Sequence, residues 1–138
     1  MNHHLSNSFV NHFENIKDPR RQAGLRHPLI EIMFIAICAI IAGADDWVAI
    51  ERFGKAKMSW FPKYLSLKHG IPSHDTFDVV FAEDTSRIRV GYAQQNLATM
   101  RRIAVNMLNR EQSCKDSLKG KRQLAGWDES YMERIVFN

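Results

Sequence analysis

The feature that most constrains this chain is an uninterrupted apolar run of 13 residues, Ile32 to Ala44, which reads IMFIAICAIIAGA. Glu31 and Asp45 close the run on its two sides. A helix that crosses a bilayer needs about 20 apolar residues, whereas a run of about 10 to 14 is typical of a buried core helix. A helix that is apolar on all sides must also be covered on all sides. The run therefore predicts the central helix of a globular core.

The rest of the chain also has helical rather than alternating patterns, and we expect an all-α assembly of about five to seven helices. The start and stop signals are local ones. We expect helices over about 6–17, from Pro28 to a cap at Gly43, after Asp45 or Asp46, after Ser73, and over about 96–111, 115–124 and 128–137, the last two separated by Gly126. The segment DVVFA, residues 78–82, fits either a strand or a helix. The sequence leaves open whether the apolar side of the helix around 97–108 covers the central helix.

Composition places the chain among soluble globular proteins, with 138 residues, 45% of them hydrophobic and 25% charged. The two cysteines, Cys38 in the apolar run and Cys114 in a polar stretch, form neither a CxxC pair nor a disulfide framework. Such usage is typical of a reducing compartment. The first 11 residues lack the basic-then-apolar order of a signal peptide. We therefore expect a cytoplasmic protein with no membrane partner.

Positive charge is concentrated in one part of the chain, although the formal net charge is only +4. The stretch from residue 85 to residue 125 contains nine basic side chains and two acidic ones, a local excess of +7. The basic ones are Arg87, Arg89, Arg101, Arg102, Arg110, Lys115, Lys119, Lys121 and Arg122. A concentrated positive field favours polyanions, of which nucleic acid is the commonest inside cells. The alternative is a solvated helical face whose acidic partners lie elsewhere in the fold.

The best candidates for DNA contact are basic residues that precede the long helix, lie off its apolar stripe or follow it. They are Arg87, Arg89, Arg101, Arg102, Lys119, Lys121 and Arg122. Such side chains contact phosphates, which position a protein on DNA but carry no sequence information.

A turn at Gly70 followed by a short helix from Ser73 could form a helix-turn-helix, in which the second helix enters the major groove. In that arrangement His74 and Thr76 would contact the DNA. The helix lacks Arg and Lys, however, and we favour plain core packing for this segment.

Several acidic and histidine residues suggest metal chemistry but have simpler roles. We expect the adjacent Asp45 and Asp46 to cap a helix rather than to bind a metal. His69, His74 and Asp75 lack the further ligands of a closed zinc site, and turn or capping roles fit them better. The three tryptophans, Trp47, Trp60 and Trp127, are expected to be core or interface anchors. We expect no metal and no cofactor.

Two blocks of sequence resemble one family of bacterial transposases. HPLIEIMFIAICAIIAGADDWVAIERFG (27–54) and HGIPSHDTF (69–77) resemble the N-terminal region of H-repeat-associated proteins, the ISAs-type insertion-sequence transposases of the DDE class. DVVFAEDTSRIRVGYAQQNLATMRRIAVNMLNRE (78–111) and KGKRQLAGWDESYMERIV (119–136) resemble the extreme C-terminal region of the same family. Together the blocks cover nearly the whole chain.

The resemblance implies that a catalytic core is missing between Phe77 and Asp78. In the family, an RNase-H-like core supplies two aspartates and a glutamate, and such carboxylates hold the Mg²⁺ ions of the reaction. Glu83 and Asp84 resemble residues that follow that glutamate. The chain would then comprise an N-terminal associated region, 1–77, and a C-terminal helical tail, 78–138.

On this interpretation the protein is an internally deleted and catalytically inactive transposase that takes no small-molecule substrate. Its partners would be DNA, a full-length transposase or a second copy of itself. The alternative is a non-catalytic module that binds DNA or pairs with a full-length transposase and so modulates it.

Overall fold

A computed structural model of the protein describes residues 26–82 and 92–137. Within these two ranges the chain forms six α-helices and no strand, which confirms the all-α prediction. The helices are α1 (Leu29–Ile41), α2 (Trp47–Ala56), α3 (His74–Phe77), α4 (Tyr92–Arg110), α5 (Leu118–Trp127) and α6 (Glu129–Phe137). The helix expected over 6–17, together with Arg87 and Arg89, lies outside the described residues.

Helix α1 is the centre of the core, as its apolar sequence predicts. Every residue from Ile32 to Ile41 is at most 1% exposed, because α2, α4 and α5 all pack against this helix. The C-terminal helix α6 also reaches α1, where the ring of Phe137 stacks on that of Phe34 with 5.8 Å between the centroids. In the part of the chain that the structure describes, no helix has the length and apolar content to cross a membrane.

The end of α1 is set by Gly43, as predicted. Gly43 has a φ of 109°, which glycine adopts without the steric cost that a side chain brings. Its N–H donates to the carbonyl of Ile40 at 3.0 Å, and the N–H of Ala44 donates to that of Ala39 at 2.9 Å. This pair of bonds is a Schellman motif, which satisfies carbonyls that the last helical turn leaves free.

Helix α2 begins at an acidic cap and lies very close to α1. The carboxylate of Asp46 accepts a bond of 2.7 Å from the N–H of Ala49, which confirms the predicted capping role. Gly54 lies inside this helix, where glycine is normally unfavourable. A Cβ at Gly54 would lie 2.7 Å from the Cγ2 of Ile71 and 3.3 Å from the Cγ2 of Ile35. The glycine therefore allows the close approach that lets α2 cover α1.

Helix α4 supplies the cover for α1 that the sequence left open. Its buried side chains, Met100, Ala104, Met107 and Leu108, are 0–3% exposed, and α4 packs along α1. The helix begins at Tyr92, four residues before the predicted start at 96. The apolar run and the long amphipathic helix thus belong to one core.

The structure decides two local predictions. The segment Asp78–Ala82, for which the sequence allowed a strand or a helix, is helical and forms a π-helical turn that follows α3 directly. The predicted break at Gly126 was wrong, because Gly126 lies inside α5 and the break falls at Asp128. There the backbone is extended, and the Asp128 carboxylate accepts bonds from the N–H groups of Ser130 (2.9 Å) and Tyr131 (3.3 Å). The acidic cap outweighs the weaker breaking tendency of a helical glycine.

Helix α6 is fastened to the segment that follows α2 by one carboxylate. Glu133 accepts hydrogen bonds from the indole N–H of Trp60 at 2.9 Å and from the hydroxyl of Tyr64 at 2.5 Å. The hydrogen bond from Tyr64 lowers the pKa of Glu133 most strongly, and the bond from Trp60 lowers it further. Burial raises this pKa, but the two bonds together keep it below its ordinary value. Burial and then the bond to Glu133 raise the pKa of Tyr64. This contact joins parts of the chain 69 and 73 residues apart.

Candidate nucleic-acid interface

The two arginines predicted to contact DNA from the long helix are both exposed, but they differ in what they contact. Arg101 donates from Nη2 to the backbone carbonyl of Asp45 at 3.0 Å, so its guanidinium braces the loop between α1 and α2. Arg102 points to solvent and forms no hydrogen bond or ion pair with the described residues. Of the two, Arg102 is the one whose donors are wholly available to a phosphate.

The basic residues of α5 also divide into exposed and engaged side chains. Lys119 is exposed. The ammonium of Lys121 donates to the carbonyl of Leu108 at 3.1 Å and to that of Glu111 at 2.9 Å, and so satisfies the end of α4. Arg122 is half-buried, and its Nε–H is buried without a partner in the described part of the chain. Lys121 therefore has a structural role, and only Lys119 of the three is free.

The predicted helix-turn-helix contacts are occupied within the protein. Ser73 caps α3 by accepting from the N–H of Thr76, and α3 is only four residues long. His74 donates from its backbone N–H to Glu51 at 2.7 Å, and its Nδ1 lies 2.8 Å from the same carboxylate oxygen. These bonds tie α3 to α2.

His74 and Glu51 shift each other's pKa in opposite directions. The bond to Glu51 raises the pKa of His74 above its ordinary value of 6.5. Bonds from Lys55 and His74 lower the pKa of Glu51 to about 2. An open surface groove lies beside the pair, lined by Val48, Glu51, Arg52, Lys55 and His74. We call this contact between His74 of α3 and Glu51 of α2 the latch, and the DNA contacts predicted for His74 and Thr76 stay a prediction.

Metal-ligand side chains do not converge in the described residues. No group of three or more His, Cys, Asp or Glu residues is placed to hold an ion anywhere in 26–82 or 92–137. His69 packs edge-on against the ring of His27, with 6.4 Å between the centroids. Asp75 is exposed, with a carboxylate oxygen 3.4 Å from Nε2 of His74.

The three tryptophans have different surroundings. Trp60 is 1% exposed and lies within an aromatic cluster around Phe34, which confirms its role in the core. Trp47 is half-buried against the core. Trp127 is 82% exposed at the end of α5, so of the two roles predicted for it the core role is excluded and the interface role stays a prediction.

Sequence reasoning missed a buried carboxylate that organises the loop before α3. Glu31 is 5% exposed, and its Oε2 accepts from the N–H of Ser66 (3.1 Å), the hydroxyl of Ser66 (3.0 Å) and the N–H of Leu67 (3.2 Å). Leu67 has a φ of 47°, a left-handed conformation that is uncommon for a leucine. The signal available in the sequence was a single acid at the border of a run that the fold must bury.

The structure thus defines a small all-α fold built around one apolar helix, with exposed and unpaired cations such as Arg102 and Lys119 in the C-terminal half of the described residues. A family model described as DDE_Tnp_1-associated matches residues 10–87, which is more than half of the chain. The chain therefore belongs to this transposase-associated family. The matched range includes the boundary predicted after residue 77 and continues ten residues beyond it.

Curated relatives agree with the family. The chain is 49% identical over 71 residues to an uncharacterized protein in the dhlA 3′ region of Xanthobacter autotrophicus, covering 51% of this chain and 24% of that protein. It is 37% identical over 67 residues to the H repeat-associated putative transposase YhhI of Escherichia coli K12, covering 49% of this chain and 18% of that protein. The chain thus spans a quarter or less of the length of these two relatives.

A third relative is of similar size to the matched segment. The chain is 34% identical over 74 residues to the inactive transposase YbfQ of Escherichia coli K12, covering 54% of this chain and 88% of that protein. No solved structure matches the chain.

Proposed function

We propose that this protein is a transposase-family chain that does not itself catalyse transposition, because an internal deletion after Phe77 has removed the Asp/Asp/Glu core. The observation that carries the proposal is the match to YbfQ, which is named an inactive transposase and is covered over 88% of its length. The proposal places the protein in the cytoplasm.

Packing supports a chain that folds without such a core. Helices α4 and α5 cover α1, and α6 is bonded through Glu133 to Trp60 and Tyr64. Within the described residues, the central helix α1 is therefore enclosed by other helices of the same chain. The join therefore leaves a closed core rather than an open apolar face.

A nicking assay tests the absence of catalysis. The purified chain is incubated with Mg²⁺ and two supercoiled plasmids, one carrying the terminal sequence of an intact family element and one without it. We expect neither plasmid to be nicked above the level of the buffer alone. Nicking or strand transfer that needs Mg²⁺, is abolished by EDTA and is confined to the plasmid with the element end would overturn the proposal. Cutting of both plasmids alike would identify a contaminating nuclease, which repurification removes before the assay is scored.

A second candidate function is a non-catalytic module that binds element DNA or pairs with a full-length transposase and so reduces its activity. Exposed basic residues in α4 and α5, Arg102 and Lys119 among them, favour it. Fluorescence anisotropy with a labelled element end and a scrambled duplex separates specific from generic binding. A preference of tenfold, about 1.4 kcal/mol, would establish retained recognition. Equal affinities would leave only a general attraction to polyanions.

A further inference from the structure

The junction between α4 and α5 carries a concentration of charge that the fold does not neutralise. Residues 110–122 contain five basic side chains and two acidic ones, a local excess of +3. Of the five, the side chains of Arg110, Lys115 and Lys119 are exposed. None of these three forms an ion pair with an acid in residues 26–82 or 92–137. We call Arg110, Lys115 and Lys119 the basic corner.

The two acids of this segment form no ion pair with the basic corner within the described residues, although Asp116 is exposed beside it. Glu111 is only 4% exposed, and its carboxylate accepts bonds from the N–H and the hydroxyl of Ser113. These bonds, ahead of the nearby Arg134 and Lys121, hold its pKa below the ordinary value. Asp116 accepts from the N–H of Ser117 at 2.7 Å. Both carboxylates thus satisfy backbone donors instead of pairing with the exposed cations.

The backbone beneath the basic corner is held at several points. Lys121 joins the start of α5 to the carbonyls at the end of α4, and Ser117 caps α5 by accepting from the N–H of Gly120 at 3.1 Å. In the middle of the loop, Arg134 of α6 donates to the hydroxyl of Ser113 at 3.0 Å. Charges fixed on a held backbone lose less freedom on binding than charges on a loose loop.

We propose that the basic corner is a docking surface for the phosphate backbone of duplex DNA, with Arg110, Lys115 and Lys119 as the contacting side chains. The inference rests on the DNA-binding form of the proposed function and adds the surface that performs it. Duplex DNA presents one negative charge per about 1.7 Å of its axis, and three exposed, unpaired cations within ten residues of the α4–α5 junction are complementary to that charge. Backbone contact of this kind fixes position and carries no sequence preference.

The test compares two triple variants that remove the same charge. The corner variant is Arg110→Gln, Lys115→Gln and Lys119→Gln; the control variant is Arg52→Gln, Lys63→Gln and Lys68→Gln, at exposed positions in the N-terminal half. Lys121 is kept in both because it supports the fold. The affinity for a labelled 20-base-pair duplex is measured by anisotropy across a salt series, and circular dichroism checks that both variants keep their helices.

We expect the corner variant to bind at least tenfold more weakly at low salt. Its slope of log K against log salt should fall by about 0.9 for each phosphate that is no longer neutralised, up to about 3 in all. The control variant should change both quantities far less. Equal weakening in the two variants would overturn the surface assignment while leaving DNA binding itself intact. If the natural chain binds no duplex at all, both the surface assignment and the DNA-binding function are overturned. The nicking assay is independent of this result, because it tests only the absence of catalysis.

Competition identifies the class of partner. Polyglutamate carries negative charge without phosphates and should displace the duplex at least tenfold less effectively than unlabelled DNA of equal charge. Equal displacement would point to an acidic protein partner and would overturn the assignment to DNA.

Discussion

At the scale of single residues, the most consequential side chain is Glu31, a carboxylate that the core buries and hydrogen-bonds at once. A buried charge is tolerated only when its acceptor capacity is used, and three donors from Ser66 and Leu67 use it here. The same bonds fix Leu67 in its left-handed conformation. One carboxylate therefore sets the path of the loop that precedes α3.

We predict that Glu31→Ala lowers the free energy of unfolding by at least about 2 kcal/mol, since it leaves buried N–H groups without an acceptor. Urea unfolding at neutral pH measures the change. The matched control is Glu129→Ala, which removes an acid that is 40% exposed and pairs with Lys57 at 3.6 Å. Exposed pairs of this kind contribute up to about 1 kcal/mol. Equal effects of the two substitutions would contradict the role assigned to Glu31.

At the scale of elements, helix ends were predictable from sequence where the signal is local. Gly43, Asp46 and Ser73 each act within a few residues of their own position, and the structure gives all three the expected capping roles. The role of Gly54 could not be predicted this way. Its missing side chain leaves room for Ile35 and Ile71, which belong to other parts of the fold. The structural contact of Lys121 could not be predicted for the same reason, because its acceptors belong to a helix end that only the fold brings near.

The latch between α2 and α3 makes a prediction about pH. The lowered pKa of Glu51 means that its contribution to stability is present above its ordinary value of 4.5 and is lost as pH falls towards 2. The raised pKa of His74 means that its contribution is present below 6.5 and is lost as pH rises through the folded value. The contribution of the pair should therefore be greatest between about pH 4.5 and 6.5.

Urea unfolding of the natural chain and of His74→Gln, each at pH 5.5 and pH 8.5, measures this contribution. The destabilisation caused by the substitution should be larger at the lower pH. In a Glu51→Gln background the difference between the two pH values should be much smaller, because only the weaker contact with Asp75 at 3.4 Å remains. A pH-independent effect in the natural background would contradict the latch.

At the scale of the whole molecule, the two sequence blocks form one core rather than two units. The sequence predicted the elements on both sides and their fold class, since apolar periodicity is encoded locally. It did not predict that α4 and α6 would close over α1 and the Trp60 cluster, because helical periodicity identifies a buried face but not what covers it. Nor did it distinguish Trp60 from Trp127, two tryptophans with opposite exposure.

We predict cooperative unfolding across the two blocks. Ile135 of α6 is 1% exposed, and Ile135→Ala should lower the free energy of unfolding by about 2 to 5 kcal/mol. Trp60 can be followed by fluorescence in a chain in which Trp47 and Trp127 are replaced by Phe. In this chain Ile135→Ala should move the unfolding midpoint measured by Trp60 fluorescence as far as the midpoint measured by circular dichroism. Gln123→Ala, at an exposed site on α5, is the matched control and should shift neither signal. A Trp60 transition that stays in place while helix content is lost would mean that the C-terminal helices unfold separately.

The shared core also has a consequence for biosynthesis. Helix α1 leaves the ribosome long before its cover, because 96 residues separate Ile41 from Phe137. At about 5 to 20 residues per second, translation of that interval takes roughly 5 to 20 s. During this time α1 is covered only in part, first by α2 and then by α4, so its remaining apolar surface is accessible to chaperones and proteases until α5 and α6 have been made.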